Sequence, residues 1–224
     1  MKVSTDACLF GAYIADFCIQ QKWLPERVLD IGTGTGLLTL MLAQKNNKAF
    51  FTGVELDKKA SEQAKENVFA SPWTNRIQIL NQDIVKWNES NEQDYDLLIC
   101  NPPFFSQHLL SNAENRLMAR HDEHLSLEQI KNIGNNCLNN EGRLALLLPN
   151  SRLQECLNLF ADSFQIESVL ETADREGKSL NRVVIILVKS IRKVDATREV
   201  LFLHDASGKR SDRWQDLIQD YYLR

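Results

Sequence analysis

Apolar residues along the chain follow two alternating patterns: short continuous runs, and longer stretches in which they recur every three or four positions. The short runs are typical of strands that are covered on both faces. They predict strands at 27–31, 49–55, 76–80, 95–100, 142–148, 166–170 and 183–189, with a further short strand at 200–203. The longer stretches predict helices at 6–20, 37–44, 58–70, 126–138, 151–160 and 212–222, with Ser126 as an N-cap.

Strands that alternate with helices at this spacing predict an α/β fold. We expect a Rossmann-like, seven-stranded, mostly parallel sheet with helices on both faces. The last two strands of the series have little helix between them, which indicates an antiparallel pair at one edge. The chain shows no repeat or linker, so we expect a single domain over 1–224. Within it we expect an N-terminal helix segment at 1–24, a core at 25–190 and a C-terminal strand and helix at 191–224.

Composition and charge narrow the class of protein. No segment approaches the roughly 18 uninterrupted apolar residues of a membrane span, and the N-terminus lacks the apolar core of a signal peptide. The five cysteines are odd in number and none has C-x-x-C spacing, which favours reduced thiols in the cytoplasm over disulfides or zinc. The net charge of -4 counts against nonspecific nucleic-acid binding. Seven basic residues between Arg175 and Arg198, against two acidic ones, fit either a solvated face or a phosphate-contacting patch.

A glycine-rich turn, Asp30-Ile31-Gly32-Thr33-Gly34-Thr35-Gly36, follows the first predicted strand. Glycines at this position let the backbone turn tightly and approach a ligand. Leu37 stands where the dinucleotide fingerprint needs its third glycine, and no Gly-Lys-Ser/Thr of a nucleotide triphosphatase is present. The pattern acid-x-Gly-x-Gly-x-Gly resembles the cofactor turn of class I methyltransferases, whose ligand is S-adenosylmethionine.

Acidic residues follow three successive strands, at the sheet edge where such folds bind ligands. Asp30 ends the first strand and would lie beside the methionine part of the cofactor. Glu55 ends the second strand, where a carboxylate can accept both ribose hydroxyls. Asp83 follows the third strand and could accept from the adenine amino group of the cofactor. Each acid alone could also be a helix cap or a surface residue, and Asp83 fits that alternative best.

The fourth strand ends in Asn101-Pro102-Pro103-Phe104-Phe105. Two prolines fix the backbone and remove two amide donors, so the groups that remain for a ligand are acceptors. The Asn101 side-chain oxygen and the Pro102 carbonyl can each accept one hydrogen of a planar amino group. That arrangement favours in-line attack of the nitrogen on a sulfonium methyl, while Phe104 offers a face on which an extruded base can stack. The alternative is a rigid turn that only closes the strand.

Asp/Asn-Pro-Pro-aromatic after such a cofactor turn resembles methyltransferases that act on amino groups of adenine, guanine or glutamine amides. Further segments are similar to the bacterial tRNA1(Val) (adenine-37 N6)-methyltransferase family, over nearly the whole chain. They are Lys2-Val3-Ser4-Thr5-Asp6 with Leu9-Phe10-Gly11-Ala12, the run from Leu37 to Gln44, Ser71-Pro72-Trp73, Ala119-Arg120, Arg182-Val183 and Tyr222-Leu223. The resemblance implies a class I methyltransferase fold, S-adenosylmethionine as cofactor, and a flipped adenine beside a tRNA anticodon as substrate.

The same resemblance implies the residues of the site. The expected catalytic residues are Asn101, Pro102, Pro103 and Phe104. The expected cofactor contacts are Lys2, Thr5, Asp30, Gly32, Gly34, Gly36, Glu55, Leu56, Asp83, Ile84 and Asn101. The expected substrate contacts are Phe104, Phe105, Arg116, Arg120, Lys178 and Arg182. Ser4 departs from the usual glycine, so we expect a different backbone there. The family usually has a strand-forming segment before Lys2, so we expect either a late start or a missing substrate arm.

Other functions remain open at this level. A guanine-N2 methyltransferase of ribosomal RNA and a glutamine-N5 methyltransferase of proteins use similar motifs. A noncatalytic cofactor-binding partner subunit is a non-enzyme alternative, and a nicotinamide-dependent oxidoreductase is disfavoured by Leu37. His121 and His124 could suggest a metal site, but no partner ligands are apparent and we expect no metal. We expect a monomeric cytoplasmic enzyme that acts on tRNA and does not bind membranes.

Overall fold

The computed structural model describes residues 4–91, 94–102 and 125–221. In them the chain forms one eight-stranded sheet between two layers of helices. The strands are β1 Arg27–Ile31, β2 Phe50–Glu55, β3 Ile77–Asn81, β4 Tyr95–Cys100, β5 Leu138–Pro149, β6 Gln165–Ala173, β7 Arg182–Val188 and β8 Thr197–Phe202. The helices are α1 Thr5–Gln20, α2 Leu37–Lys45, α3 Lys58–Phe69, α4 Ile84–Ser90, α5 Leu127–Cys137, α6 Leu153–Phe160 and α7 Asp212–Ile218, with short 3₁₀ turns at Thr74–Arg76 and Asn150–Arg152.

The strand order is β3-β2-β1-β4-β5-β7-β6-β8. Strands β1 to β5 are all parallel to one another, β7 is antiparallel to both β5 and β6, and β8 is parallel to β6. This confirms the α/β class and the mostly parallel sheet. The expected strand count of seven is one too low, because the short tail strand pairs with β6. The antiparallel pair is therefore not at the edge, since β8 covers the hydrogen-bonding groups that β6 would otherwise expose.

Most element boundaries lie within two residues of the expected ones. Ser126 caps α5 and forms a capping box with Gln129. The sequence pattern missed α4, a seven-residue helix between β3 and β4 that has no fully buried residue. The expected helix at 212–222 is shorter in the structure, where α7 ends at Ile218.

Two apolar layers cover the faces of the sheet. One is formed by α1, α2, α3 and α7, with Phe10, Ile14 and Trp214 among its buried side chains. The other is formed chiefly by α5 and α6, with Ile130 and Phe160 at its centre and α4 at its margin. No helix among the described residues is long and apolar enough to span a membrane. All five cysteine thiols are free and buried.

Helix α1 packs closely on α2 because Gly11 has no side chain. A Cβ atom at Gly11 would lie 2.8 Å from the Met41 sulfur and 3.3 Å from a Leu38 methyl carbon. The far end of α1 is fixed by α7, where Arg213 donates to both Asp16 and Glu199. These contacts fix the position of α1 against α2 and α7.

Candidate active site

The carboxyl ends of β1, β2, β3 and β4 lie side by side. Ile31 pairs with Val54 on one side and with Cys100 on the other, and Glu55 pairs with Asn81. The residues that follow these strands therefore meet at one edge of the sheet, as parallel topology requires. The glycine turn, the expected acids and Asn101 are brought together there.

The glycine turn has a backbone that other residues rarely adopt. Gly32, Gly34 and Gly36 have φ angles of 69°, 60° and 82°, all in the left-handed region that costs L side chains energy. The amides of Gly32 and Thr33 both donate to the Val54 carbonyl, at 2.9 and 3.1 Å. The turn is thus held against β2 before α2 begins.

Asp30 is the buried polar centre of the site. Its side chain is 1% exposed, and Oδ2 accepts hydrogen bonds from the hydroxyls of Thr33 and Thr39, both at 2.7 Å. Its other oxygen, Oδ1, is buried and has no hydrogen-bond partner among the described residues. Burial raises the pKa of this carboxyl to about 6, because the charged form loses its hydration. Unpaired buried carboxylate oxygens are costly, so Oδ1 favours a donor from a ligand.

Glu55 links the end of β2 to the glycine turn. Its Oε2 accepts from the Gly34 amide at 2.8 Å, and its Oε1 accepts from the Asp57 amide at 2.8 Å. A carboxylate oxygen has two lone pairs, so each can still accept from a ribose hydroxyl. Asn81 fixes the same strand end, since its amide donates to the carbonyls of Glu55 at 2.9 Å and Leu56 at 3.0 Å.

Asp83 is the N-cap of α4, with Oδ1 accepting from the Val85 amide at 2.8 Å. The alternative of a helix cap is therefore correct for one of its oxygens, while Oδ2 forms no hydrogen bond to another described residue. Two apolar residues lie at the neighbouring strand and helix ends. Leu56 is 59% exposed directly after Glu55, and Ile84 is half-buried at the start of α4. Exposed apolar surface beside acceptor oxygens suits the flat, amphipathic adenine of a nucleoside.

Asn101 and Pro102 follow β4 at the same edge. Asn101 is half-buried and its side chain forms no hydrogen bond to another described residue, and Pro102 is buried. The expected site residues Lys2, Pro103, Phe104, Phe105, Arg116 and Arg120, and the histidines at 121 and 124, lie outside the described residues. Among the residues that the structure describes, no group of three or more His, Cys, Asp or Glu side chains could hold a metal ion.

The N-terminus of α1 reaches the same edge. Ser4 has extended backbone with φ of -103°, and its hydroxyl caps the helix by accepting from the Ala7 amide at 3.2 Å. A serine in place of the usual glycine is therefore accommodated without strain. Asp6, in the first turn, accepts from the Arg182 guanidinium at 2.9 Å. Because Arg182 begins β7, this ion pair places the exposed Thr5 beside the carboxyl ends of the central strands.

The basic run divides between the two edges of the sheet. Arg175 and Lys178 lie in the 174–181 loop that connects β6 to β7, on the site edge with Arg182. Lys189, Arg192 and Lys193 lie at or near the opposite edge, because β7 runs back across the sheet. Arg198 lies within β8, where it pairs with Val169 in the middle of β6. Lys189 donates to the carbonyls of Asn135 and Leu138 and has a structural role. The seven basic residues therefore do not form one patch, and Arg175, Lys178 and Arg182 are the members of the run at the site edge.

Several residues that support the site were missed in the sequence. Gly53 in β2 leaves room for Thr33, whose side-chain carbons would lie 3.0 and 3.1 Å from a Cβ atom there. Asn67 in α3 donates to the Thr35 carbonyl at 2.9 Å and ties that helix to the turn. Asn81 ends β3, and a polar side chain at a strand end was the one feature of the sequence that could have identified it as a site residue.

Comparisons with known proteins agree with this geometry. The fold is similar to a solved structure of a predicted O-methyltransferase from Agrobacterium tumefaciens, with a TM-score of 0.74 and 19% identity over 98% of each chain. The methyltransferase small domain model matches residues 14–172. The fold and this match define the class: an α/β methyltransferase of class I.

Two curated relatives share the full length of this chain. A tRNA1(Val) (adenine(37)-N6)-methyltransferase of Aeromonas salmonicida is 36% identical over 100% of this chain and 91% of its own length. The protein of that name from Pectobacterium carotovorum is 34% identical over 100% of this chain and 88% of its own. The chain belongs to the methyltransferase small domain family and, within it, to the family of tRNA1(Val) (adenine(37)-N6)-methyltransferases.

Replacing Asn81 with alanine removes both hydrogen bonds to the Glu55–Leu56 backbone. Since each is worth about 1 kcal/mol, the pair is worth about 2 kcal/mol, and we expect the affinity for S-adenosylhomocysteine to fall by up to roughly 30-fold. Isothermal titration calorimetry measures it. Asn158→Ala is the control, since the side chain of that exposed residue on α6 bonds, among the described residues, only to Gln154. Equal affinities for Asn81→Ala and the unmodified protein would contradict the positioning role.

Asp30→Asn tests whether burial raises the pKa of this carboxyl in the protein without ligand. In the folded state this group takes up a proton near pH 6, well above its ordinary pKa of 3.8, so the folded state binds more protons between these values. Its contribution to the free energy of unfolding therefore rises as pH falls through about 6. Between pH 7 and pH 5 we expect the unmodified protein to gain about 1 kcal/mol relative to Asp30→Asn. Urea unfolding at both pH values measures this difference, and parallel pH profiles of the two proteins would refute it.

Proposed function

We propose that the protein transfers a methyl group from S-adenosylmethionine to the exocyclic N6 amino group of an adenine in RNA, namely adenine 37 beside the anticodon of tRNA1(Val). The observation that carries this proposal is the position of Asn101 and Pro102. They follow β4 directly beside the glycine turn of β1, with the Asn101 side chain free of hydrogen bonds to other described residues. The names and full-length similarity of the curated relatives support adenine N6 and tRNA.

The residues present fit the cofactor. Asp30 offers a buried oxygen with no described partner toward the methionine part, and Glu55 offers free lone pairs for the ribose hydroxyls. Leu56 and Ile84 would contact the adenine, with Asp83 Oδ2 as acceptor of its amino group. Lys2 and Thr5 would contact the methionine end. When bound, the cofactor supplies an electrophilic methyl group on a sulfonium, which needs no metal to activate it.

The chain's own contribution to catalysis is positioning. The Asn101 side-chain oxygen and the Pro102 carbonyl each accept one hydrogen of the adenine amino group. With both hydrogens engaged, the nitrogen lone pair is turned away from conjugation with the ring and toward the methyl donor. The two acceptors also stabilise the positive charge that develops on the nitrogen as the new bond forms. Pro103 would fix this backbone, and Phe104 and Phe105 would stack the extruded base.

The substrate approaches from the edge that carries the 174–181 loop. Lys178 is exposed there, and Arg182 keeps further guanidinium donors beyond the one engaged by Asp6. These two, with Arg116 and Arg120, would contact phosphates and fix the register of the RNA without reading its sequence. We propose a monomeric enzyme of the cytoplasm, where five free buried thiols remain reduced.

Asn101→Ala should leave the affinity for S-adenosylhomocysteine within a few fold of the unmodified protein. The rate of methyl transfer to unmodified tRNA should fall about 100-fold or more, the loss typical of one transition-state acceptor or donor. Single-turnover transfer of labelled methyl, followed by nucleoside analysis, measures it. Asn101→Asp keeps an acceptor oxygen and should retain measurable transfer.

Equal losses of cofactor affinity and of transfer rate in Asn101→Ala would contradict the catalytic role of this side chain. A product other than N6-methyladenosine from the unmodified protein would overturn the proposed substrate while leaving the cofactor site intact.

A further inference from the structure

A polar turn at 205–210 connects β8 to α7 on the site edge of the sheet. Strand β8 runs parallel to β6 and ends at Phe202, opposite Ala173, so the residues that follow lie beside the 174–181 loop. The 205–210 turn is held in one shape by Asp205. Its Oδ1 accepts from the Ser207 amide at 2.8 Å, the Ser207 hydroxyl at 2.7 Å and the Lys209 amide at 3.0 Å. Gly208 supplies the left-handed backbone, with φ of 84°.

His204 fastens this turn to the neighbouring loop. Its amide donates to the Asp174 carbonyl at 2.9 Å, and its Nδ1 pairs with the Asp174 carboxylate at 2.8 Å. The hydroxyl of Ser211, on the other side of the turn, donates to the Phe202 carbonyl at 2.6 Å. The 205–210 turn and the 174–181 loop therefore form one rigid rim at the edge of the sheet.

The rim carries basic side chains that form no ion pair within the fold. Arg175 pairs with Asp174 and Arg182 pairs with Asp6. Lys178, Lys209 and Arg210 are exposed and form no ion pair with any described residue. Of the three acids in the rim, Asp174 forms ion pairs and Asp205 accepts hydrogen bonds within the turn. Glu176 is exposed and forms no ion pair with a described residue. Segments 174–182 and 203–210 contain five basic and three acidic residues, so with His204 neutral they carry a net charge of +2 in a chain of -4.

Arg210 is oriented by an aromatic ring. Its guanidinium carbon lies 4.3 Å from the centre of the Trp214 ring, and Trp214 itself is buried in the core. Contact with an aromatic face restricts the guanidinium, while the Arg210 residue stays exposed to solvent. An exposed, oriented guanidinium beside a lysine is an arrangement that binds phosphate.

We propose that the 205–210 turn is a second docking point for the tRNA, where Lys209 and Arg210 bind its phosphate backbone. The inference rests on the proposed function, because it takes tRNA as the substrate. Four strand spacings of about 4.8 Å each separate β8 from β4, so the turn lies roughly 19 Å from the base held at Asn101. At that distance the turn contacts nucleotides away from the modified base. It contributes to affinity and orientation and leaves the chemical step unchanged.

Lys209→Ala/Arg210→Ala tests this contact against a matched control in the same chain. Arg192→Ala/Lys193→Ala removes the same charge from exposed residues at the opposite edge. We expect the first variant to bind unmodified tRNA at least tenfold more weakly and to have a correspondingly higher KM. Its salt dependence, the slope of log K against log salt, should be less steep by about two. Its kcat at saturating tRNA and its affinity for S-adenosylhomocysteine should match those of the unmodified protein.

Lys209→Glu is a second variant that leaves the contact between Arg210 and Trp214 in place, in case the double variant folds poorly. It should weaken tRNA binding at an unchanged melting temperature. Equal tRNA affinities for the turn variants and the opposite-edge control would overturn the docking point while leaving the enzyme's activity on tRNA established. An unmodified protein that neither binds nor methylates tRNA would overturn the proposed function and the docking point together.

Discussion

A buried carboxylate determines the shape of the site. Asp30 is removed from water at the end of β1, and this raises its pKa to about 6. The cost of burying the charge is offset in part by two hydroxyls, from Thr33 in the glycine turn and Thr39 in the first turns of α2. Both must point at Oδ2, and this requirement fixes the turn and the start of α2 relative to β1. The oxygen without a described partner leaves part of that cost for a ligand to relieve.

The neighbouring strand ends are tied to this centre one after another. Glu55 at the end of β2 accepts from Gly34, and Asn81 at the end of β3 donates to the Glu55 carbonyl. On the other side, β4 pairs with β1 and delivers Asn101. Acceptor groups for a cofactor and an acceptor for an amino group thus sit on adjacent, rigidly paired strands. Such preorganisation is what a reaction that depends on alignment needs.

Much of this arrangement could be predicted because parallel strands place their following residues at one edge. Asp30, Glu55 and Asn101 were identified as strand-end residues in that way. The hydrogen-bond partners of these residues could not be predicted. The bond from Asn81 to Glu55, for example, joins two residues that are 26 positions apart in the sequence. The two interpretations of the basic run could not be separated from the sequence for a related reason. Its residues are neighbours in sequence, but β7 crosses the whole sheet and leaves Arg182 and Lys189 at opposite edges. Strand β8 was recognised, but its pairing with β6 depends on a long-range contact that no local pattern specifies.

We propose that this edge of the sheet methylates N6 of one adenine beside a tRNA anticodon. The most direct test is to incubate the protein with labelled S-adenosylmethionine and unmodified tRNA1(Val), and to identify the labelled nucleoside. A second transcript, in which adenine 37 is replaced by guanine, is treated in parallel. We expect N6-methyladenosine from the first transcript and no label in the second. Equal labelling of both transcripts, or a label recovered as N2-methylguanosine, would contradict it.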